Sequence, residues 1–166
     1  SYAFQGATSL TSITIPASVT SIGGNAFQST SALTTVTFEA DSSLTSIGNS
    51  MFQYASALTS ITIPASVTTI GDYAFYEASA LTSITIPASV TSIGTRAFYE
   101  ASALTSITIP ASVTSIGDAA FYRASALTTV TFEEGSSLDS IGTWAFHSSG
   151  VTTVIASQPL IDSDSM

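Results

Sequence analysis

The sequence predicts a repeat solenoid of about six coils of 23–25 residues, with a parallel β-sheet on one face and short helical turns on the other. Three observations carry this reading. Leucine or valine recurs at Leu10, Leu33, Leu58, Leu81, Leu104, Leu127 and Val151, at intervals of 23, 25, 23, 23, 23 and 24 residues. Phenylalanine recurs in register with it at Phe4, Phe27, Phe52, Phe75, Phe98, Phe121 and Phe146, six times after alanine and once after Met51. The chain is 45% hydrophobic, enough to bury a core, although Ser and Thr (31 and 26 of 166 residues) supply most of its polarity. A fixed period in this range marks units that bury their apolar side chains against the copies above and below.

Within one copy the elements follow in order. Leu81-Thr82-Ser83-Ile84-Thr85-Ile86 is rich in β-branched residues, with Ile84 and Ile86 alternating with polar neighbours, which is strand periodicity. Pro87 has no N–H to give a ladder and ends the strand at a corner, as do Pro16, Pro64 and Pro110. Val90-Thr91-Ser92-Ile93-Gly94 is a weaker second extended stretch. Its terminal glycine recurs at Gly23, Gly48, Gly71, Gly94, Gly117 and Gly142, so each copy needs there either a positive φ or a close approach between coils. Thr95 to Ala101 then reads as a helical turn or two that plugs Phe98 into the core. Two copies depart from the rule: Phe38–Leu44 and Phe132–Leu138 replace Ile-Pro-Ala-Ser-Val and add two residues each, which predicts loops bulging from one corner. The solenoid is assigned to residues 1–155. Residues 156–166, with Pro159, Asp162 and Asp164, are assigned to a cap or acidic tail folding over the last coil.

Charge narrows the function classes. Lys+Arg total 2 (Arg96 and Arg123) against 11 Asp+Glu, a net charge of −9, so no cationic patch is present to neutralise nucleic-acid phosphates or an anionic lipid surface. No apolar run is long enough for membrane insertion as a helix. With no cysteine and one histidine, thiol nucleophiles and Cys-type zinc sites are lacking, and His147 occupies a slot filled by Gln28, Gln53, Tyr76, Tyr99 and Tyr122 in other copies. It is read as a scaffold position, and the chain as a non-enzyme with no implied cofactor. Glu39 with Asp41, and Glu133 with Glu134, offer hard oxygen ligands, but the two loops lie four coils apart, roughly 19 Å at one strand spacing per coil, and cannot share an ion. Solvated charge is their expected role. Asp72, Glu77, Glu100 and Asp118 fall on the outer turns, where Arg96 and Arg123 are candidates to pair with neighbours.

The string Leu-Thr-Ser-Ile-Thr-Ile-Pro-Ala-Ser-Val-Thr-Ser-Ile-Gly-x-x-Ala-Phe closely resembles the BspA-type (Treponema pallidum-type) leucine-rich repeat, from about Ala3 to Ile155. The resemblance implies a right-handed leucine-rich-repeat solenoid and a cell-surface or secreted protein of the kind linked to adhesion and protein binding. The family pattern usually carries a cysteine after Ala-Phe-x-x; here Ala55, Ala78, Ala101 and Ala124 stand there, with Thr30 in another copy. Packing should survive the change, since a buried free cysteine behaves as a small hydrophobe. The asparagine ladder of other leucine-rich repeats is missing, which leaves Ser and Thr hydroxyls as candidates to satisfy the corner backbone.

Stacking the copies places Ser12, Thr35, Ser60, Ser83, Ser106 and Thr129 in one column and Thr14, Thr37, Thr62, Thr85, Thr108 and Thr131 in another, both pointing away from the core on the strand face. These twelve residues are the candidate binding site. Threonine also suits any solvated sheet face, so the columns are equally compatible with a passive surface. The functional readings are a neutral face for a protein or glycan ligand, a structural or self-assembling segment of a filament or surface layer, and ice binding by Thr ladders. Tyr54, Tyr73, Tyr76, Tyr99, Tyr122 and Trp144 lie on the turn side, where packing between coils is favoured over a contact surface. The strand Leu10–Ile15 carries no charge or bulge to block pairing, so self-association through an open N-terminal end is also expected.

Overall fold

The computed structural model describes residues 1–156. The Ser-Ile-Thr-Ile alternation and the shorter Thr-Ser-Ile stretch both become strands, so most copies contribute two. In chain order they are β1 (Ser12–Ile15), β2 (Thr35–Phe38), β3 (Ser46–Ile47), β4 (Ser60–Thr62), β5 (Thr69–Ile70), β6 (Ser83–Thr85), β7 (Ser92–Ile93), β8 (Ser106–Ile109), β9 (Ser115–Ile116), β10 (Thr129–Phe132), β11 (Ser140–Ile141) and β12 (Thr153–Ile155). All pairings are parallel and join a strand to its counterpart in the next copy. The result is a parallel β-solenoid of about six coils.

The longer strands form the expected sheet face, in the order β1-β2-β4-β6-β8-β10-β12, with β2 lying beside β4 and β6 beside β8 where the ladder hydrogen bonds lapse. The weaker stretches form a second sheet whose ladder is unbroken, β3-β5-β7-β9-β11. Its continuity follows from the glycine after each of its isoleucines. A Cβ added to Gly94 would stand 2.5 Å from the carbonyl carbon of Gly71, and one on Gly117 would stand 2.5 Å from the amide nitrogen of Thr95. Of the two roles open to this column, close approach is the operative one: positive φ among the described glycines occurs at Gly6 and Gly135, both outside it.

The expected helical turns are absent: among the described residues no helix forms. Between Gly71 and Leu81 the amides alternate in direction. Those of Tyr73, Phe75 and Glu77 donate to Thr95, Ala97 and Tyr99 of the next coil at 2.7–2.9 Å, while those of Tyr76 and Ala78 close turns onto Tyr73 and Phe75 at 3.1 Å. A helix would use these amides within its own segment and leave the neighbouring coil unbonded. Alternation of this kind requires left-handed backbone at two positions per coil, and Tyr73 (φ 57°) and Glu77 (φ 53°) supply it.

The core is the pair of columns read from the sequence. Leu81, Ile84, Ile86, Val90, Ile93 and Phe98 are all buried, as are their counterparts in the central coils. Phe4, Phe27, Phe52, Phe75, Phe98, Phe121 and Phe146 stack in a continuous series with ring centroids 5.0–5.5 Å apart. Ala55, Ala78, Ala101 and Ala124 are fully buried, and so is Thr30, whose hydroxyl donates to the Phe27 carbonyl at 2.7 Å. The first residues lie along the turn side of the first complete coil, with Phe4 N–H donating to Ala26 and Gly6 N–H to Gln28, both at 2.8 Å. Leu10 and Ile13 are half-buried instead of open to solvent. At the other end Ile141, Trp144, Val154 and Ile155 are exposed. The expected cap at 156–166 lies, apart from Ala156, outside the described residues.

Candidate functional site

Strand pairing brings the predicted hydroxyl columns together in register: Ser12 opposite Thr35, Thr14 opposite Thr37, Ser60 opposite Ser83, Thr62 opposite Thr85, Ser106 opposite Thr129 and Thr108 opposite Thr131. Ten of the twelve are exposed, and Thr129 and Thr131 are half-buried. Among the described residues, the only side-chain hydrogen-bond contact in these columns is a 3.4 Å approach of Thr35 Oγ1 to Thr34 Oγ1. The hydroxyls are therefore otherwise uncommitted within the described residues.

Other hydroxyls are committed. Thr34, Thr82 and Thr128 donate across coils to the carbonyls of Thr11, Thr59 and Thr105 at 3.0–3.3 Å. Thr68, Thr91 and Thr114 do the same to Thr45, Thr68 and Thr91 at 3.1–3.2 Å. Ser66, Ser89 and Ser112 donate to Leu44, Val67 and Val90 at 2.6–2.7 Å. Hydroxyls thus satisfy part of the corner backbone, as expected, but from columns adjacent to the candidate ones.

Side-chain oxygens of asparagine, aspartate and glutamate satisfy further backbone amides, and sequence reasoning missed this. Asn49 Oδ1 accepts from Asp72 N–H at 3.0 Å, Asp72 Oδ1 from Thr95 N–H at 2.8 Å, and Asp118 Oδ1 from Thr143 N–H at 2.7 Å. The recurrence of Asn or Asp immediately after the column glycine was the available signal. Glu39 and Glu133 likewise accept from Ala17 N–H at 3.0 Å and Ala111 N–H at 3.2 Å, tying each bulging loop to the coil before it. The two loops are therefore partly structural instead of wholly solvated. Among the described residues no three His, Cys, Asp or Glu side chains converge as they would around a metal ion. A cleft of about 580 Å³ opens between the Glu39 loop and the corner at Pro64, where β2 and β4 fail to pair.

The turn side carries the aromatic residues. Tyr76, Tyr99 and Tyr122 stack at 4.7 and 5.0 Å, and His147 continues the column at 5.6 Å. Packing is thus the role of the three tyrosines, as expected. Burial foremost, then the Glu77 carboxylate, pushes the Tyr76 hydroxyl up to about 12. Arg96 donates to the Tyr73 hydroxyl at 2.9 Å, and Arg123 pairs with Glu100 at 3.1 Å while lying over the Tyr122 ring at 5.4 Å.

A family description, BspA type Leucine rich repeat region, matches the chain in six copies over residues 1–105 and 45–164. Among solved structures, the chain is similar to the T. pallidum leucine-rich-repeat protein, with 22% identity and a TM-score of 0.69 over 87% of this chain and 73% of that one. It is also similar to a leucine-rich-repeat protein from Eubacterium ventriosum, at 26% identity and a TM-score of 0.55, covering 89% of this chain and 49% of that one. The pneumococcal vaccine antigen PcpA follows at 22% identity and a TM-score of 0.51, covering 88% and 50%. The chain thus spans about half the length of the latter two proteins. No curated protein matches it.

Proposed function

We propose that this chain, which belongs to the BspA-type leucine-rich-repeat family, is a non-enzymatic binding module of a secreted or cell-surface protein. Its Ser/Thr strand face holds a protein or glycan ligand. The observation that carries this reading is the contrast between hydroxyl columns. Neighbouring columns spend their hydroxyls on the carbonyls of the preceding coil, whereas Ser60, Thr62, Ser83 and Thr85 present theirs outward without internal partners. Paired donors and acceptors without charge suit a ligand recognised through hydrogen bonds, with little electrostatic steering. The pneumococcal vaccine antigen among the similar structures is in keeping with a surface location.

The test compares the chain with a Thr62→Lys/Thr85→Lys/Thr108→Lys variant on a glycan array and a panel of purified surface proteins. Binding that the triple variant loses, at unchanged circular dichroism, is the expected result. A variant that binds every partner as well as the parent contradicts the assignment of this face.

A further inference from the structure

We propose a second binding site on the opposite side of the coil: a groove on the turn face, around Glu100 and Arg123, that takes an extended, neutral, β-linked saccharide. The turn face holds both cations of the chain, its tryptophan, its histidine and all six tyrosines, whereas the strand face is almost wholly Ser and Thr. Many of these side chains stand at positions of left-handed backbone, including Tyr73, Glu77, Arg96, Glu100 and Arg123 with φ of 53–57°. Glycine adopts that conformation without the steric cost a Cβ brings, and Gly6 does so in the same column as Glu77, Glu100 and Arg123. The hydrogen bonding between coils imposes this backbone in each coil, and the side chains it turns outward line up in two columns along the turn face.

The groove has a volume of about 400 Å³ and is lined by Ser79, Ser102, Ser125 and Ser148 with Glu100 and Arg123. Arg123 commits one N–H to Glu100 at 3.1 Å, and a guanidinium has five. The lining therefore offers donors and acceptors side by side, the arrangement that vicinal hydroxyls require. Charge narrows the ligand further. The Arg123–Glu100 pair cancels within the groove and the chain carries −9 overall, so a phosphate, sulfate or uronic acid gains no attraction there. Ser79, Ser102 and Ser125 recur once per coil, with Ser148 in the column of Glu100 and Arg123, and the tyrosine column beside them steps by 4.7 and 5.0 Å. A β-1,4-linked hexose chain advances by nearly that distance per sugar when extended, so successive sugars can meet Ser79, Ser102 and Ser125 in turn. A proline-rich peptide, which also runs extended, prefers aromatic faces, and here the faces of Tyr99 and Tyr122 are taken up by each other and by His147.

Calorimetric titration with cellohexaose and maltohexaose tests the proposal. The parent chain is expected to bind the extended cellohexaose and to bind the coiled maltohexaose at least about tenfold more weakly. Arg123→Ala and, separately, Ser102→Trp, which fills the groove from an exposed position, should each weaken cellohexaose at least about tenfold, with circular dichroism unchanged, and Ala88→Lys, at an exposed corner position, should leave it intact. No measurable binding of cellohexaose, equal binding of both hexaoses, or displacement by a proline decamer overturns the proposal. Loss of cellohexaose in Thr85→Lys but not in Arg123→Ala also overturns it, and would place the ligand on the strand face, leaving the binding-module reading in force.

Discussion

Truncating Phe98 to alanine removes an interior ring of the stack that joins the coils. The ring is fully buried and lies between Phe75 at 5.2 Å and Phe121 at 5.1 Å. Loss of a buried phenylalanine costs about 3 to 5 kcal/mol through transfer and the cavity left behind. Two ring contacts are lost, each worth about 0.5 to 1.5 kcal/mol beyond area, which places Phe98→Ala in the upper half of that range. Phe4 provides the internal control, since it is 42% exposed and has one ring neighbour, Phe27 at 5.3 Å. Phe4→Ala should therefore cost only about 1 to 2 kcal/mol. Guanidinium unfolding read by tyrosine fluorescence and circular dichroism gives both values, provided the two probes coincide and the slope against denaturant is common to all variants. A loss below about 1 kcal/mol for Phe98→Ala, or equal losses for the two variants, would refute the stacked-core argument.

Two further perturbations separate the other elements of the account. Gly94→Ala should destabilise by about 2 kcal/mol or more, because its Cβ meets backbone of the neighbouring coil at 2.5 Å. Gly135→Ala, at φ 75° with open space around it, should cost only about 1 kcal/mol, and comparable losses would argue against close coil approach. Tyr76 should titrate near pH 12, above its ordinary value of 10, when followed by absorbance at 295 nm against a Tyr76→Phe reference. Because the folded value is raised, its contribution to stability is complete below pH 10 and is lost as the pH climbs toward 12, where the unfolded chain ionises first. A Tyr76→Phe variant with the same fall in melting temperature between pH 10 and 12 would contradict that.

Leucine and phenylalanine at a fixed interval mark the core directly, because a side chain that stacks on its own copy cannot drift in register; Leu81 and Phe98 are buried for that reason. The second sheet was harder to read, since two-residue strands such as Ser92–Ile93 are too short to show alternation, and their continuity depends on Gly94 removing a Cβ. The turn segments misled in the opposite direction. Ala97-Phe98-Tyr99-Glu100-Ala101 has good helix formers, yet hydrogen bonding to the next coil overrides local propensity and holds Arg96 and Glu100 in left-handed backbone. Exposure of the strand-face threonines was legible from alternation alone. The structural use of Asp72, Asp118 and Glu39 was not, because a carboxylate in a loop reads as solvated charge until the amide it accepts from is in place.

The central claim is that each repeat advances the chain by one strand spacing and keeps the threonine column straight enough to act as one face. Since the chain contains no cysteine, Thr14→Cys and Thr131→Cys allow two spin labels to be placed without ambiguity, at the first and last members of the column that spans β1 to β10. Five coil steps separate them, so pulsed electron double resonance should return a narrow distribution centred at about 24 Å. A broad distribution, or a centre beyond about 35 Å, would mean that the copies do not stack one strand spacing apart, and the shared face would go with them.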